Sequence, residues 1–445
     1  MGAGPAGTYA SEILVTSGLD VSVDLIERLP APYGLVRYGV APDHPWIRQI
    51  TGALAKVLER GDIRLLANVS YGTDLTLADL RAHYDAVIFA TGAIKDADLD
   101  IPGIDLEGSF GAADFVSWYD GHPDVPRTWP LDAQHVAVLG AGNVALDITR
   151  VLAKHAQDLM VTEIPPNVVE ILERSPLTDV HVFARRGPAQ VKFTPLELRE
   201  LGNLPDVDIV VYPEDYDFDE ASEQAIRTNN QTKQVVKTLT DWTLREPDEL
   251  TAARRIHLHF LHRPAEVLGR DGRVVGLRTE RTALTGDGNA QGTGEYHDWP
   301  VEAVYRAVGY FGSPLPEVPF DEENGVISND EGRVVDADGR PIPGLYCTGW
   351  IKRGPVGLIG HTKSDAQETI RHLVEDAEHQ PVAQGVDRDP AAVDALLASR
   401  GVDVVPWTGW QLLDAYEQQL GAEQGRERVK VVPRDQMVDI SLDRS

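Results

Sequence analysis

Cysteine is all but absent from this chain of 445 residues, where Cys347 stands alone. One thiol excludes disulfide staples, a Cys-x-x-Cys redox pair, thiolate zinc sites and an iron–sulfur cluster carried on the chain itself. Positive charge is scarce too: 41 Lys and Arg face 70 Asp and Glu, a formal net charge of −29. Such a surface repels nucleic acid and anionic membranes wherever basic residues do not cluster. No apolar run approaches the roughly 20 residues of a membrane-spanning helix. No secretory pattern precedes the first motif, so the expected location is the cytoplasm, or the mitochondrial matrix in a eukaryote. The length exceeds one ordinary core, which predicts two or more domains.

A further lack concerns the opening stretch MGAGPAG. Gly2, Gly4 and Gly7 spell G-x-G-x-x-G, a phosphate loop that normally follows a β-strand, yet only Met1 precedes it. Without that strand, a gap is expected at the centre of a parallel sheet, with both neighbouring edges exposed. The expectation is that the true start lies upstream and that Met1 stands where the strand's last residue would be.

The motifs present are two such loops. After the first, Thr8 to Ser17 reads as a helix and VSVDLIE (21–27) as a strand. That strand ends in Glu27, about 20 residues beyond Gly7, where a carboxylate accepts ribose hydroxyls. HPWIRQITGALAKVLERG (44–61) has helical spacing and a C-capping Gly61; IRLLANVSYG and YDAVIFATGA read as strands. The second loop, Gly140-Ala141-Gly142-Asn143-Val144-Ala145, follows the apolar strand HVAVL. Ala at the third position is an allowed variant. The strand after it, DVHVFARR, ends in Arg185-Arg186 instead of an acid. An acid would repel a 2′-phosphate, whereas two guanidiniums can grip it bidentately. The first loop therefore reads as an FAD site and the second as an NADP(H) site. Residues 254–312 are β-rich, with an Asp271-Gly272 turn and a soft loop, GDGNAQGTG (286–294). GLYCTG forms a last strand, helix is expected from Lys363 onward, and the residues after about 380 read as a Pro-interrupted, partly helical tail. The fold expected is α/β, with two Rossmann-like dinucleotide-binding domains: a discontinuous FAD domain of 1–95 and 315–445, and an NADP domain of 96–314.

Four segments resemble the adrenodoxin reductase family of FAD-containing ferredoxin–NADP+ reductases. They are PAPYGLVRYGVAPDHP (30–45), GAGNVALD (140–147), RRGPAQVKFTPLELREL (185–201) and GWIKRGPVGLIG (349–360). The resemblance implies that Ala6 and Glu27 touch FAD, with Leu35 and the stretch at Tyr71 lining its adenosine side. It implies that Trp350 and the backbone of Gly357, Leu358 and Ile359 hold the isoalloxazine. Gly140, Ala141, Gly142, Asn143, Arg185, Arg186 and Glu197 would bind NADP(H), and Gly357 would also meet the nicotinamide. His44 and Asp147 match a family pair near the flavin. With Glu200 they are expected as orienting groups or proton carriers, because hydride transfer needs alignment and no protein base. Leu358 stands where Val is usual, and His361-Thr362 where Thr-Asn is common.

The implied reaction passes electrons from NADPH to FAD and then singly to a separate ferredoxin, with a cytochrome P450 as a possible downstream consumer. Arg199, Arg227, Lys233, Lys237, Arg254 and Arg255 are the docking candidates, and the family resemblance favours the last pair. Two alternatives stay open: an NADPH-dependent flavin monooxygenase and a non-catalytic nucleotide-binding flavoprotein. A disulfide reductase would need a cysteine pair that the chain lacks.

Overall fold

The computed structural model describes residues 1–356, 359–379 and 385–444. They form two compact units: Met1–Lys95, Asp120–Asp124 and Tyr310–Ser445 in one, Asp96–Tyr119 and Val125–Gly309 in the other. The expected division placed 120–124 and 310–314 in the second domain. Asp120 falls in the first because its carboxylate pairs with Arg48 at 2.7 Å and its carbonyl accepts from Lys430 Nζ at 3.0 Å.

In the first unit, Val23–Glu27 pairs in parallel with Ile63–Ala67. A four-stranded sheet runs in the order Asn329–Asp330, Arg333–Val335, Pro341–Cys347, Val87–Phe89, the last two parallel. Met1 and Gly2 lie between Val23–Glu27 and Val87–Phe89. Gly2 N–H donates to Ile26 O at 2.7 Å, Met1 N to Ile88 O at 2.8 Å, and Ala90 N–H to Met1 O at 2.8 Å. Three backbone bonds bridge the two sheet pieces at this end, and the pieces otherwise remain separate sheets, as the expected gap implies. Successive strand residues point to opposite faces, so Leu25 packs among Ala3, Leu54, Trp410 and Met437, while Ile26 packs among Leu66, Phe89, Val334 and Leu397.

The C-terminal tail belongs to these cores. Helices Trp407–Glu423 and Arg434–Ser441 contribute Leu413, Met437 and Ile440. Glu417, fully buried, accepts both Arg37 Nη groups at 2.9 and 2.5 Å and the Val431 N–H at 2.9 Å. Lys430 Nζ donates to Arg37 O at 2.7 Å. These bonds clamp the segment that carries Leu35 and His44 against the tail. Losing one partner of such a buried pair costs about 3–5 kcal/mol.

The second unit holds a six-stranded sheet with every pairing parallel. Its order is Ser109–Gly111, Ala303–Arg306, His135–Leu139, Asp179–Ala184, Arg254–Phe260, Val207–Val211. A three-stranded antiparallel sheet follows, built from His262–Arg270, Arg273–Leu284 and Ala290–Trp299. Its first turn is Asp271-Gly272, with φ of 54° and 81°, the paired left-handed geometry that keeps a two-residue hairpin twisted correctly. Ala137, Leu139, Phe183 and Val304 from the parallel sheet share one core with Val267, Val274 and Leu277 from the antiparallel one. The soft loop expected at 286–294 is shorter, because the strand begins at Ala290 and pairs with Leu284. Nearly every residue of that strand is exposed, so no apolar alternation marks it. The single helix expected over 44–61 is two, Pro45–Arg48 and Ile50–Glu59.

Candidate active site

The first glycine loop enters helix Pro5–Val15, whose Pro sits at the start where its missing N–H costs nothing. The three glycines have different reasons. A Cβ on Gly2, at φ +99°, would lie 2.4 Å from Ala90 O, and one on Gly7 would lie 1.9 Å from Gly2 O. Gly4 is not crowded; a Cβ there meets only Gly34 Cα at 3.8 Å. No side chain caps the helix start at Gly4. The outer positions thus close the turn, and the middle one leaves its amides and the space before them to an anion. FAD pyrophosphate fits that cradle.

Glu27 is buried, with Oε2 accepting Ala3 N–H at 2.7 Å and Oε1 accepting Leu29 N–H at 2.9 Å. It ties the glycine loop to its strand end, and a carboxylate with about four acceptor positions keeps capacity for ribose hydroxyls. Tyr33 N–H donates to Ala3 O, and Gly34, at φ +51°, abuts Gly4, which sets Leu35 one residue past the loop. Tyr71 stacks edge-on against Phe89 and its hydroxyl donates to Pro316 O at 2.6 Å.

Trp350 opens the short helix Trp350–Arg353 after Gly349, whose added Cβ would lie 2.6 Å from Ala6 Cβ. The closing motif therefore packs directly on the first turn of the flavin-loop helix. Asp365 holds it there, accepting from Thr348 Oγ1 at 3.0 Å and Gly349 N–H at 2.5 Å, with Lys352 Nζ at 3.2 Å. Gly357 and Leu358 lie outside the described residues, as does the side chain of Ile359. The following helix, Ile359–His379, starts four residues before the expected Lys363.

The second loop repeats the logic on helix Asn143–Ala153. Gly140, at φ +143°, would put a Cβ 2.2 Å from Ala307 O, while a Cβ on Gly142 meets nothing within 4 Å. Gly142 caps the helix without a side-chain bond. Ala141 O accepts Lys192 N–H at 2.7 Å, and Asn143 Oδ1 accepts Thr194 N–H at 3.0 Å. The Asn143 side chain is thus used on the neighbouring loop. Arg185 and Arg186 follow directly on strand Asp179–Ala184. Neither has a carboxylate within ion-pair distance among the described residues, although acids outnumber bases in this chain. Burial, then the adjacent Arg185, hold Arg186 below the usual arginine range. Two adjacent cations left open in an acidic chain suit an external dianion.

Asp147, Glu197 and Glu200 come together around one residue that sequence reading missed. Arg150, 1 % exposed, reaches Asp147 at 2.6 Å, Glu197 at 3.3 Å and Glu200 at 3.9 Å. The i, i+3 spacing of Asp147 and Arg150 on one helix was the available signal. Glu197, read as an NADP(H) contact, has its carboxylate on this arginine. His44 belongs to the first unit, buried at the start of Pro45–Arg48, and Asp147 and Glu200 belong to the second.

A sequence profile of the pyridine nucleotide-disulphide oxidoreductases matches residues 1–180. NADPH-ferredoxin reductase FprA of Mycobacterium tuberculosis is 39 % identical over 456 residues, covering 99 % of this chain and 98 % of the relative. The mitochondrial NADPH:adrenodoxin oxidoreductase of Homo sapiens is 37 % identical over 451 residues, covering 98 % and 90 %. The chain belongs to the adrenodoxin reductase family. The solved structure of Mycobacterium tuberculosis FprA in complex with NADPH superposes with a TM-score of 0.91 at 38 % identity, over 99 % of this chain and 98 % of that one. Within this family the glycine loops read as an FAD loop in the first unit and an NADP loop in the second. Disulfide chemistry has no place here, because Cys347 is the only cysteine and is buried.

Proposed function

We propose that this chain is an NADPH-dependent ferredoxin reductase. Bound FAD would take an electron pair from NADPH and release electrons singly to a separate iron–sulfur protein. The observation that carries the reading is the contrast between the loops: Glu27 ends the strand after one, and the open pair Arg185-Arg186 ends the strand after the other. Amides at Gly4 and Gly142 face the two pyrophosphates, Glu27 orients the FAD ribose, and the arginines select a 2′-phosphate. Trp350 and the motif held by Asp365 support the ring of FAD. Arg150 gathers Asp147, Glu197 and Glu200 into one charged group beside the second loop, where they orient or carry protons.

The acceptor must be a separate protein, since one cysteine cannot hold a cluster. Arg254 is unsuited to docking it: its guanidinium donates to Ala153 O and Lys154 O, at 3.2 and 2.6 Å, and caps a helix end. Arg255, Arg199 and Lys233 are exposed and remain the basic contacts for an acidic partner. Downstream delivery to a cytochrome P450 and a cytoplasmic location are parts of the proposal. No helix among the described residues is long and apolar enough to cross a membrane. The test is reconstitution: NADPH-dependent cytochrome c reduction should require added ferredoxin. Oxygen consumption coupled to substrate hydroxylation, with ferredoxin irrelevant, would favour a monooxygenase instead.

A further inference from the structure

Two backbone irregularities of the second unit meet at the arginine pair. Leu261, between strands Arg254–Phe260 and His262–Arg270, is a buried leucine at φ +60°. Left-handed backbone is costly for a branched side chain and persists where surrounding bonds enforce it. The second is a register shift between Glu280 and Thr282, where strands Arg273–Leu284 and Ala290–Trp299 pair. The surplus residues of the shift, 293–295, lie on the second of these strands. Beside it Thr282, 3 % exposed, donates its hydroxyl to Arg185 O at 2.7 Å. Leu261 N–H donates to Arg186 O at 3.2 Å, and Thr282 N–H donates to Leu261 O at 2.9 Å. Each arginine carbonyl is thus held by one bond, from Thr282 and from Leu261, and a third bond ties these two residues together.

Arg281 braces the other side of Leu261. Its guanidinium pairs with Asp215 and reaches Phe260 O at 3.4 Å, and Asp215 Oδ2 accepts Phe260 N–H at 3.3 Å. The arrangement has a clear physical use. Two adjacent guanidiniums repel each other, so a loop held only by its own strand would splay them. Fixing both carbonyls sets where each side chain leaves the backbone, and preorganised donors bind an anion at lower cost.

We propose that Thr282 is a positioning residue for coenzyme selectivity, holding Arg185 and Arg186 in the spacing that grips a 2′-phosphate. This rests on the NADP(H) reading of the second loop. Thr282 touches no part of the coenzyme in this account; it acts through the Arg185 carbonyl.

The test compares Thr282→Val, which keeps the shape and removes the donor, with Thr282→Ser, which restores it. KM and kcat are measured with NADPH and NADH, beside an Arg185→Ala/Arg186→Ala double variant. Thr282→Val should raise the NADPH KM about tenfold, the worth of one hydrogen bond, with kcat little changed and the NADH KM moving far less. Thr282→Ser should return the NADPH KM towards the parent value. If Thr282→Val does not fold, Thr282→Ala is read the same way. Equal changes for both coenzymes, no change in either, or failure of serine to rescue would overturn the positioning role. If the double arginine variant itself leaves NADPH preference intact, the 2′-phosphate reading fails first, and the role of Thr282 falls with it.

Discussion

The two glycine loops turn into a helix by the same physics and differ in how the end of the next strand is spent. In the first unit, Glu27 is pulled inward: both carboxylate oxygens accept backbone amides, and one of those amides belongs to the glycine loop itself. In the second, the backbone is what is held. The Arg185 and Arg186 carbonyls are tied to Thr282 and Leu261, and their guanidiniums have no carboxylate partner among the described residues. Under the proposed function, the glycines supply a generic pyrophosphate cradle, and one position at a strand end decides which nucleotide the cradle serves. The third loop position differs for a local reason. Gly7 faces Gly2 O where any Cβ would collide, while Ala145 is buried without such a clash.

The comparison can be broken most severely at the arginines. Replacing Arg185 and Arg186 with Ala should raise the NADPH KM by about two to four decades, at roughly 1.5–3 kcal/mol per charged hydrogen bond, and spare NADH. Steady-state kinetics with both coenzymes reads this directly. Next is Arg150→Met, which leaves three neighbouring carboxylates without their shared cation. Denaturant unfolding should show a loss of about 3–5 kcal/mol. The loop glycines come third. Gly7→Ala should cost about 3 kcal/mol and release the flavin, because backbone cannot move aside. Ala145→Gly should cost only about 1 kcal/mol. Thermal melting and the flavin absorbance of the purified variants separate the two.

A pH dependence of stability is lodged in the second unit. His181 stacks on His257 at 4.4 Å between ring centres, and its Nδ1 lies 3.1 Å from His259 Nε2. Burial, then His257 alongside, push His181 down to about 3, and burial also lowers His257 and His259. These rings stay neutral in the fold while the unfolded chain takes protons below about pH 6.5. The contribution of His181 is therefore complete above about pH 6.5 and is lost as pH falls towards 3. Each histidine adds a slope of up to ~1.4 kcal/mol per pH unit. The melting temperature should therefore fall between pH 7 and 4, and His181→Phe, beside Phe183 in the same stack, should make that fall shallower.

Local features were legible in the sequence. Both loops, their preceding or following strands, Glu27, the arginine pair and the Asp271-Gly272 turn follow from spacing and residue chemistry. What stayed hidden depends on bonds between distant residues. Arg150 looks like an ordinary helix-surface arginine until Glu197 and Glu200 arrive from another helix. Thr282 and Leu261 carry no motif, since their role is made of backbone carbonyls. The first half of the strand Ala290–Trp299 read as loop because its exposed, glycine-containing sequence has no buried face to reveal a period of two. The tail read as a Pro-interrupted, partly helical part of the FAD domain, and no motif marked Glu417 and Lys430 as the residues buried in that unit.

An anaerobic absorbance titration of the purified chain tests the division of labour between the two loops most directly. The yellow colour of bound FAD should bleach with about one equivalent of NADPH, at concentrations where NADH leaves it unchanged. A colourless chain that cannot be loaded with FAD, or bleaching by NADH as readily as by NADPH, would contradict it.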